Sequence, residues 1–245
     1  MDFVWPYIYG PSFWRKSGMF YELEYSIKSV RKNYKGDARC FVVGDDPGLD
    51  VAYIPAQRIE THKNNPREAD VNNKLSLVAN SDEIGDFVLM CDDLFINQPV
   101  DDDELRKAYG RDEVVNIFDY MKKRRGSMDY KRSWRATYEF AMTIRYPKGQ
   151  KTYDWECHLP RYIMMDRLKY ILKTFDLKNN PKIVTGLHDA YEVEETELIT
   201  PDLQADLWTH RPGMDFDAEL KKRYMNLYDD AIMPELIEKM KILYD

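Results

Sequence analysis

The stretch that decides the fold of this chain is Phe87-Val88-Leu89-Met90-Cys91-Asp92-Asp93-Leu94-Phe95-Ile96. A hydrophobic run of strand length ends in two adjacent carboxylates, and a second apolar run follows. Buried strands of a parallel sheet are continuous apolar runs of this kind. Ligands of open α/β sheets bind beyond the carboxyl ends of such strands. We therefore expect Asp92 and Asp93 to lie at a ligand-binding edge of a sheet.

The two neighbouring carboxylates predict a cation site. They repel each other and raise each other's pKa unless a cation or hydrogen-bond donors offset the repulsion. Mg²⁺ or Mn²⁺ suits oxygen ligands and commonly accompanies a phosphate-bearing substrate. The alternative is a strand-end turn whose acids face water and cap the next segment. The stretch by itself leaves both interpretations open.

Composition limits the classes of protein. The 245 residues are 44% hydrophobic and 13% aromatic, which supplies a substantial core and excludes wholesale disorder. A formal net charge of -7 argues against a basic surface for nucleic acid, although a local basic patch is compatible with it. Three widely separated cysteines, Cys40, Cys91 and Cys157, form neither a disulfide framework nor a CxxC pair and are typical of reduced thiols.

The sequence also predicts where the protein works. We find no signal peptide at the N-terminus and no run of the ~20 apolar residues that a membrane helix needs. Together with the cysteine usage, this predicts a cytoplasmic protein of a bacterium or a phage-infected cell, with no integral membrane contact.

Alternating strand and helix patterns predict an α/β fold with a mostly parallel central sheet flanked by helices. In the first half we expect strands over 3–9, 39–43, 51–54 and 87–90, helices over 21–34 and 73–79, and a polar loop over 60–72. In the second half we expect a strand over 114–118 and helices over 161–175, 216–228 and 234–244. The simplest arrangement is one domain over 1–245, with an α/β half over 1–100 and an added half with C-terminal helices over 101–245.

The order of several short motifs resembles a known family. The motifs are a strand ending in Tyr9-Gly10-Pro11, the helix Glu22-Leu23-Glu24-Tyr25-Ser26-Ile27-Lys28-Ser29-Val30, the strand-turn Cys40-Phe41-Val42-Val43-Gly44-Asp45, then Asn72-Asn73-Lys74 and the acidic strand end. Together they resemble a nucleotide-sugar glycosyltransferase of the Rossmann-like GT-A fold. More narrowly they resemble the Stealth-type capsular polysaccharide sugar-phosphate transferases, which carry ELRYSLRSV-like, IYIVTDG-like and NDDFF-like segments. His158-Leu159-Pro160 is similar to the His-x-Pro segment of that family.

The resemblance implies a metal and a donor. It implies Mn²⁺ or Mg²⁺ bridging the diphosphate of a nucleotide sugar, most simply a UDP-sugar. Asp93 would be the direct ligand, and Asp92 would hold the ribose or the water shell of the ion. In this fold a third ligand commonly comes from later in the chain and is often a histidine. His158 has the best support, then His188, then His210, whereas His62 lies in the polar loop.

Other positions are implied to contact the donor. Tyr9 stands near a position where the family usually has an aspartate, and Asp45 follows the second strand. Tyr9 would contact the donor, Asp45 would meet the nucleoside, and by family position Asn73 and Lys74 would meet the nucleotide or its phosphates. As a turn-forming residue, Asp45 also fits its place without any such role.

Asp154 and Glu156 are candidate catalytic acids. They lie two residues apart, so on an extended segment they share a face. Either one is a candidate general base that takes a proton from an acceptor hydroxyl. The alternative is a pair of solvent-facing acids that flank an anchoring Trp155.

Residues 122–135 hold seven basic residues and one acid. Cations bind phosphates by charge, and aromatic rings stack on unpaired bases or sugars. The candidate acceptor-binding residues are Lys122, Lys123, Arg124, Arg125, Tyr130, Arg132 and Trp134. The alternative is a solvated loop without a ligand.

These residues lead to one preferred function and two alternatives. The preferred hypothesis is a metal-dependent glycosyltransferase whose acceptor is either phage DNA with 5-hydroxymethylpyrimidines or an anionic surface polysaccharide. A Stealth-like sugar-1-phosphate transferase would instead form a phosphodiester and release a nucleoside monophosphate. A non-catalytic binding module would keep the fold and the partner without the chemistry.

Overall fold

A five-stranded sheet forms the centre of the computed structural model, which describes residues 1–9, 18, 20–60, 65–123, 126–209 and 213–245. Its strand order is β3-β2-β1-β4-β7, with β1 (Asp2–Tyr7), β2 (Arg39–Gly44), β3 (Ala52–Pro55), β4 (Phe87–Leu89) and β7 (Arg161–Ile163). The pairs β1–β2, β1–β4 and β2–β3 are parallel, whereas β7 pairs antiparallel with β4. The predicted α/β class with a mostly parallel sheet is confirmed.

Two smaller sheets accompany the central one. The three-stranded sheet has the order β5-β10-β9, with β5 (Leu94–Ile96), β9 (Gln204–Leu207) and β10 (Tyr224–Leu227). The two-stranded sheet joins β6 (Tyr109–Gly110) to β8 (Glu197–Leu198). Residues 90–93 connect β4 to β5, so the chain leaves the central sheet and enters the three-stranded sheet at the acid pair.

Helices cover both faces of the central sheet. α1 (Glu22–Asn33) packs on one face, and α2 (Pro66–Ala79), α6 (Met165–Thr174) and α7 (Val184–Glu192) pack on the other. The other helices of the described residues are α3 (Asp102–Leu105), α4 (Ile117–Lys123), α5 (Met128–Arg145), α8 (Phe216–Leu220) and α9 (Pro234–Tyr244). In the described part of the chain, no helix combines the length and the apolar character that crossing a bilayer requires.

The core follows from the hydrophobic pattern. On one face of the sheet, Leu23 and Ile27 of α1 belong to the same buried cluster as Trp5 of β1. On the other face, side chains of α2, α6 and α7 pack around Val4 and Phe87. Burial on both faces is the reason why β1 and β4 are continuous apolar runs rather than alternating ones.

The end of β2 requires glycine. Gly44 has a φ of +139°, and a Cβ atom there would lie 2.0 Å from the carbonyl oxygen of Tyr7 and 2.8 Å from Cε of Lys74. A side chain at this position is therefore excluded by conformation and by space. Glycine lets the carboxyl ends of β1 and β2 approach each other beside Lys74.

The predicted loop over 60–72 was wrong for its second part, because α2 begins at Pro66. Asn65 caps this helix by accepting a hydrogen bond from the amide of Glu68 at 3.3 Å, and proline is favourable in a first helical turn. Few apolar residues occur early in α2, so hydrophobic periodicity did not indicate a helix there. The capping residues Asn65 and Pro66 did indicate its start.

Three predictions for the second half were also wrong. The segment 161–175 divides into β7 and α6, and the segment 216–228 divides into α8 and β10. No strand covers 114–118, because Val114 bonds to the carbonyl of Thr152 and α4 begins at Ile117. A short apolar run is compatible with a helix and with a strand. Residues 161–163 and 224–227 form strands because neighbouring strands are available to pair with them.

Candidate active site

Three residues bring metal-ligating atoms together at the end of β4. One ligand atom each from Cys91, Asp93 and His158 lies within 4.8 Å of the other two. Cys91 and Asp93 come from the connection between β4 and β5, and His158 comes from the segment that leads into β7. The sequence predicted Asp93 and His158 for this role, and the structure places them side by side.

The C-terminal strand β10 holds Asp93 in position. The backbone carbonyl of Asp93 accepts hydrogen bonds from the amide of Leu227 at 2.9 Å and from Nδ2 of Asn226 at 3.1 Å. β10 also pairs antiparallel with β5. The turn that carries the acids is therefore fixed by residues more than a hundred positions later in the chain.

His158 is positioned by its backbone and by a tyrosine. Its carbonyl accepts a hydrogen bond from Nε2 of Gln204 on β9 at 2.6 Å, and the hydroxyl of Tyr228 lies 3.3 Å from its Nε2. Burial, with the nearby carboxylates of Asp206 and Asp93, raises the pKa of Tyr228. The hydroxyl therefore keeps its proton at neutral pH. Contacts of this kind orient a metal-ligating histidine.

The acid pair carries a high electrostatic cost. Burial and the neighbouring carboxylate of Asp92 raise the pKa of Asp93 to about 7. Burial also raises the pKa of Asp92, and the Asp229 carboxylate adds to this while Arg67 opposes it. A cation bound between these groups would offset both the burial and the repulsion.

The donor set fits a divalent cation. Carboxylate and imidazole suit Mn²⁺, and few protein ligands leave positions open for substrate oxygens. Two ligands of one ion lie up to about 4 Å apart when each bond is about 2.1 Å. Separations within 4.8 Å therefore need only small side-chain rotations. The surrounding protein and the two aspartates raise the pKa of the Cys91 thiol, so Cys91 would be the weakest ligand of the three.

The other histidines lie elsewhere. His188 is buried, its Nε2 accepts a hydrogen bond from the amide of Met164 at 3.0 Å, and its Nδ1 lies 3.2 Å from Asp189. Both ring nitrogens thus have protein partners, which does not agree with the expectation of His188 as an alternative ligand. His62 and His210 lie outside the described residues.

The predicted donor contacts Tyr9 and Asp45 lie at the carboxyl edge of the sheet. Tyr9 follows β1, and its side chain is 47% exposed. Its backbone amide donates to Oδ2 of Asp45 at 2.7 Å, directly after β2. The structure therefore brings Tyr9 and Asp45 together, on the side of β1 that lies away from β4.

The two α2 residues predicted to meet the nucleotide occupy different environments. Lys74 is buried and paired with Asp70, whose other carboxylate oxygen accepts from the amide of Ile59 at 2.7 Å. Direct phosphate contact by Lys74 does not agree with this burial, because its charge is already compensated inside the protein. Asn73 is only partly buried, and its side chain lies 3.4 Å from the carbonyl of Gln57.

The two candidate bases also differ. Asp154 is fully buried, and its carboxylate accepts hydrogen bonds from Trp134 at 3.1 Å and Tyr120 at 2.9 Å. These contacts favour a structural role for Asp154. Glu156 lies 3.0 Å from Nη1 of Arg161 and accepts from the hydroxyl of Thr185 at 3.1 Å.

Glu68 was missed by the sequence analysis. It is 8% exposed, and burial together with the Glu156 carboxylate raises its pKa to about 7. Arg67, next to it on α2, acts electrostatically on Asp92 and Asp93 as well as on Glu68. The available signal was the Asn65-Pro66 helix start, which places Arg67 and Glu68 in a helix rather than in a loop.

The basic segment is mostly helical rather than a loop. Lys122 and Lys123 end α4 and are exposed, whereas Arg124 and Arg125 lie outside the described residues. Arg132 is exposed and lies 3.3 Å from Asp129. The salt bridge between Lys122 and Asp119, at 2.8 Å, is similarly local.

The aromatic part of the acceptor prediction needs one correction. Trp134 is fully buried, with its ring stacked on Tyr138 at 4.3 Å and on Tyr120 at 5.2 Å. It therefore offers no free face to a base or a sugar. Tyr130 is only partly buried and lies on the first turn of α5.

Comparisons with known proteins found solved structures that are similar to this chain at low sequence identity. No protein-family model and no curated protein matches the chain. Among solved structures, an active-site mutant of LgtC is 9% identical over 99% of this chain and 95% of its own, with a TM-score of 0.47. The galactosyltransferase LgtC with donor and acceptor sugar analogs is 10% identical over 98% and 95%, with a TM-score of 0.44. A glycosyltransferase that acts in glycosylation of the major capsid of PBCV-1 is 10% identical over 98% of each chain, with a TM-score of 0.40.

Proposed function

We propose that this protein is a metal-dependent glycosyltransferase that moves a sugar from a nucleotide sugar to an acceptor hydroxyl. The observation that carries the proposal is the convergence of Asp93, His158 and Cys91 within 4.8 Å, next to Asp92 at the carboxyl end of β4. This is the edge at which α/β proteins bind ligands.

Asp93 and His158 would hold the ion, with Asp92 beside it and Mn²⁺ the better match to their donor atoms. Bound there, the ion would supply positive charge for the departing diphosphate. Arg67 acts electrostatically on the same acids and would add to that charge. Tyr9 and Asp45, joined by a 2.7 Å hydrogen bond, would bind the nucleoside, which we take to be uridine.

Glu156 is the better placed of the two predicted bases. Its carboxylate is partly accessible, whereas that of Asp154 is enclosed by hydrogen-bond donors. Glu68 and Glu156 interact electrostatically, and the raised pKa of Glu68 makes it a group that can hold a proton near neutral pH.

For the acceptor we propose a saccharide hydroxyl, as in a surface polysaccharide. Lys122 and Lys123 are exposed and suit an anionic chain. Modified phage DNA is the other acceptor class, and the burial of Trp134 removes one ring on which a flipped base would stack. Loss of binding to duplex DNA with rising salt would support the DNA acceptor, since phosphate contacts release counterions.

The first experiment is titration calorimetry with Mn²⁺ on the unmodified protein, Asp93→Asn and Asp82→Asn. Asp82 is exposed and lies outside the cluster, so this variant is the matched control. We expect binding by the unmodified protein and the control, and at least about a tenfold weaker affinity in Asp93→Asn. Equal affinities in all three proteins would contradict the assigned ligand.

The second experiment follows donor turnover with Mn²⁺ and a panel of nucleotide sugars. A glycosyltransferase releases the nucleoside diphosphate, and Asp93→Asn should abolish release. Release of the monophosphate would instead indicate the Stealth-like sugar-1-phosphate transferase. Absence of turnover with every donor, together with retained metal binding, would favour the non-catalytic binding module.

A further inference from the structure

We infer that Trp208 and Asp206 form a binding subsite for a pyranose ring of the acceptor. This inference deepens the proposed function and rests on it. Neither residue was singled out by the sequence, and both lie where β9 ends, beside the metal-ligating cluster.

Trp208 has the geometry of a stacking platform. Its ring lies 3.9 Å from the ring of Tyr228 at an interplanar angle of 15°. Trp208 is nevertheless 44% exposed, so part of the indole surface that Tyr228 does not cover is open to solvent. In the described part of the chain, Trp5, Trp134 and Trp155 are all fully buried. An open indole face packs well against the C–H face of a sugar ring.

Polar groups beside the ring suit hydroxyls. Nε1 of Trp208 donates to Oδ2 of Asp206 at 2.9 Å, which fixes the plane of the indole. Nη2 of Arg111 lies 3.6 Å from the same oxygen. Oδ1 of Asp206 is buried and has no hydrogen-bond partner among the described residues. A carboxylate and a guanidinium together match the mixed donors and acceptors of a sugar.

The position relative to the cluster favours the acceptor over the donor. Tyr228 connects the platform to the site, because its ring stacks on Trp208 and its hydroxyl lies 3.3 Å from His158. The proposed nucleoside contacts Tyr9 and Asp45 follow β1 and β2 of the central sheet, whereas Trp208 follows β9 of the three-stranded sheet. A ring on Trp208 would thus lie near the metal on a different sheet from the nucleoside contacts.

The test is saturation-transfer difference NMR with methyl β-galactopyranoside, methyl α-glucopyranoside and uridine as separate probes, in the presence of Mg²⁺. We expect a transfer signal from at least one glycoside, and at least about a fivefold loss of that signal in Trp208→Ala. Trp208→Phe should keep part of the signal, because a smaller ring still stacks. Tyr170→Ala is the matched control, since Tyr170 is a 45% exposed aromatic residue on α6.

Three results would overturn the subsite. They are absence of signal from both glycosides with the unmodified protein, equal signals in the unmodified protein and Trp208→Ala, and loss of the uridine signal in Trp208→Ala. The last result would assign the ring to the donor base. Glycoside binding requires no turnover, so these outcomes are separate from those of the Mn²⁺ and donor experiments, which decide the proposed function.

Discussion

Replacing Glu68 by glutamine tests the electrostatics of the site without touching a proposed metal ligand. Glu68 is buried near Glu156, and its pKa is raised from an ordinary value of 4.5 to about 7. Between these two values the folded state binds a proton that the unfolded state has lost. The free energy of unfolding therefore falls as the pH rises through this interval, because a charged Glu68 is unfavourable only in the folded state.

The size of the effect follows from the same values. Each pKa unit corresponds to about 1.4 kcal/mol, so the raised pKa of Glu68 lowers the free energy of unfolding by about 3 kcal/mol at pH 8 and by less than about 1 kcal/mol at pH 5. Glu68→Gln removes this titration. We expect the variant to gain about 2.5 kcal/mol relative to the unmodified protein between pH 5 and pH 8.

Urea unfolding followed by circular dichroism at the two pH values measures this gain. Glu238→Gln, which changes an exposed glutamate of α9, is the control and should shift by less than about 0.5 kcal/mol. A Glu68→Gln difference that stays constant with pH would refute the raised pKa and with it the proposed proton-holding role.

Three further predictions concern stability, each measured by urea unfolding. Gly44→Ala should cost about 3–5 kcal/mol, because its Cβ would overlap the carbonyl of Tyr7 at a positive φ. Asp154→Ala should cost about 2–4 kcal/mol, because an indole, a phenol and a backbone amide lose their buried acceptor. Lys74→Met should cost about 3–5 kcal/mol by leaving Asp70 as an uncompensated buried charge.

Each of these variants has a matched control. Gly85→Ala adds a Cβ with no atom within 4 Å, and Asp82→Ala removes an exposed carboxylate, so both should change stability by less than about 0.5 kcal/mol. Adding Asp70→Asn to Lys74→Met should restore part of the lost stability. A variant that falls no further than its control, or a double variant less stable than Lys74→Met, would contradict the corresponding assignment.

Local patterns were enough to predict much of the central sheet. The apolar runs that became β1, β2 and β4 are buried on both faces, and Leu23, Ile27 and Val30 of α1 repeat at helical spacing. Residues 224–227 were predicted as helix because their strand identity depends on pairing with β5, which lies far earlier in the chain. A short apolar segment becomes a strand when another strand is available to pair with it, and that strand cannot be identified from the sequence of the segment itself.

Some residues of the candidate site were predictable from the sequence, and others were not. Asp93 and His158 were predicted from motifs, and the structure brings them together. Tyr228 and Trp208 belong to no motif, and only the fold of the three-stranded sheet places them beside His158. The burial of Trp134 was unpredictable because Arg132 and Arg135 lie close to it in the sequence, whereas its spatial neighbours are aromatic.

The hydrogen bonds from Asn226 and Leu227 to Asp93 also determine at which stage of protein synthesis the turn that carries Asp93 can become ordered. Asp92 and Asp93 leave the ribosome long before β10, the strand that holds Asp93 in position. Until that last strand appears, the growing polypeptide has its carboxylates but no fixed geometry for them. The turn that carries Asp92 and Asp93 should therefore become ordered only after residues 224–227 have been synthesised.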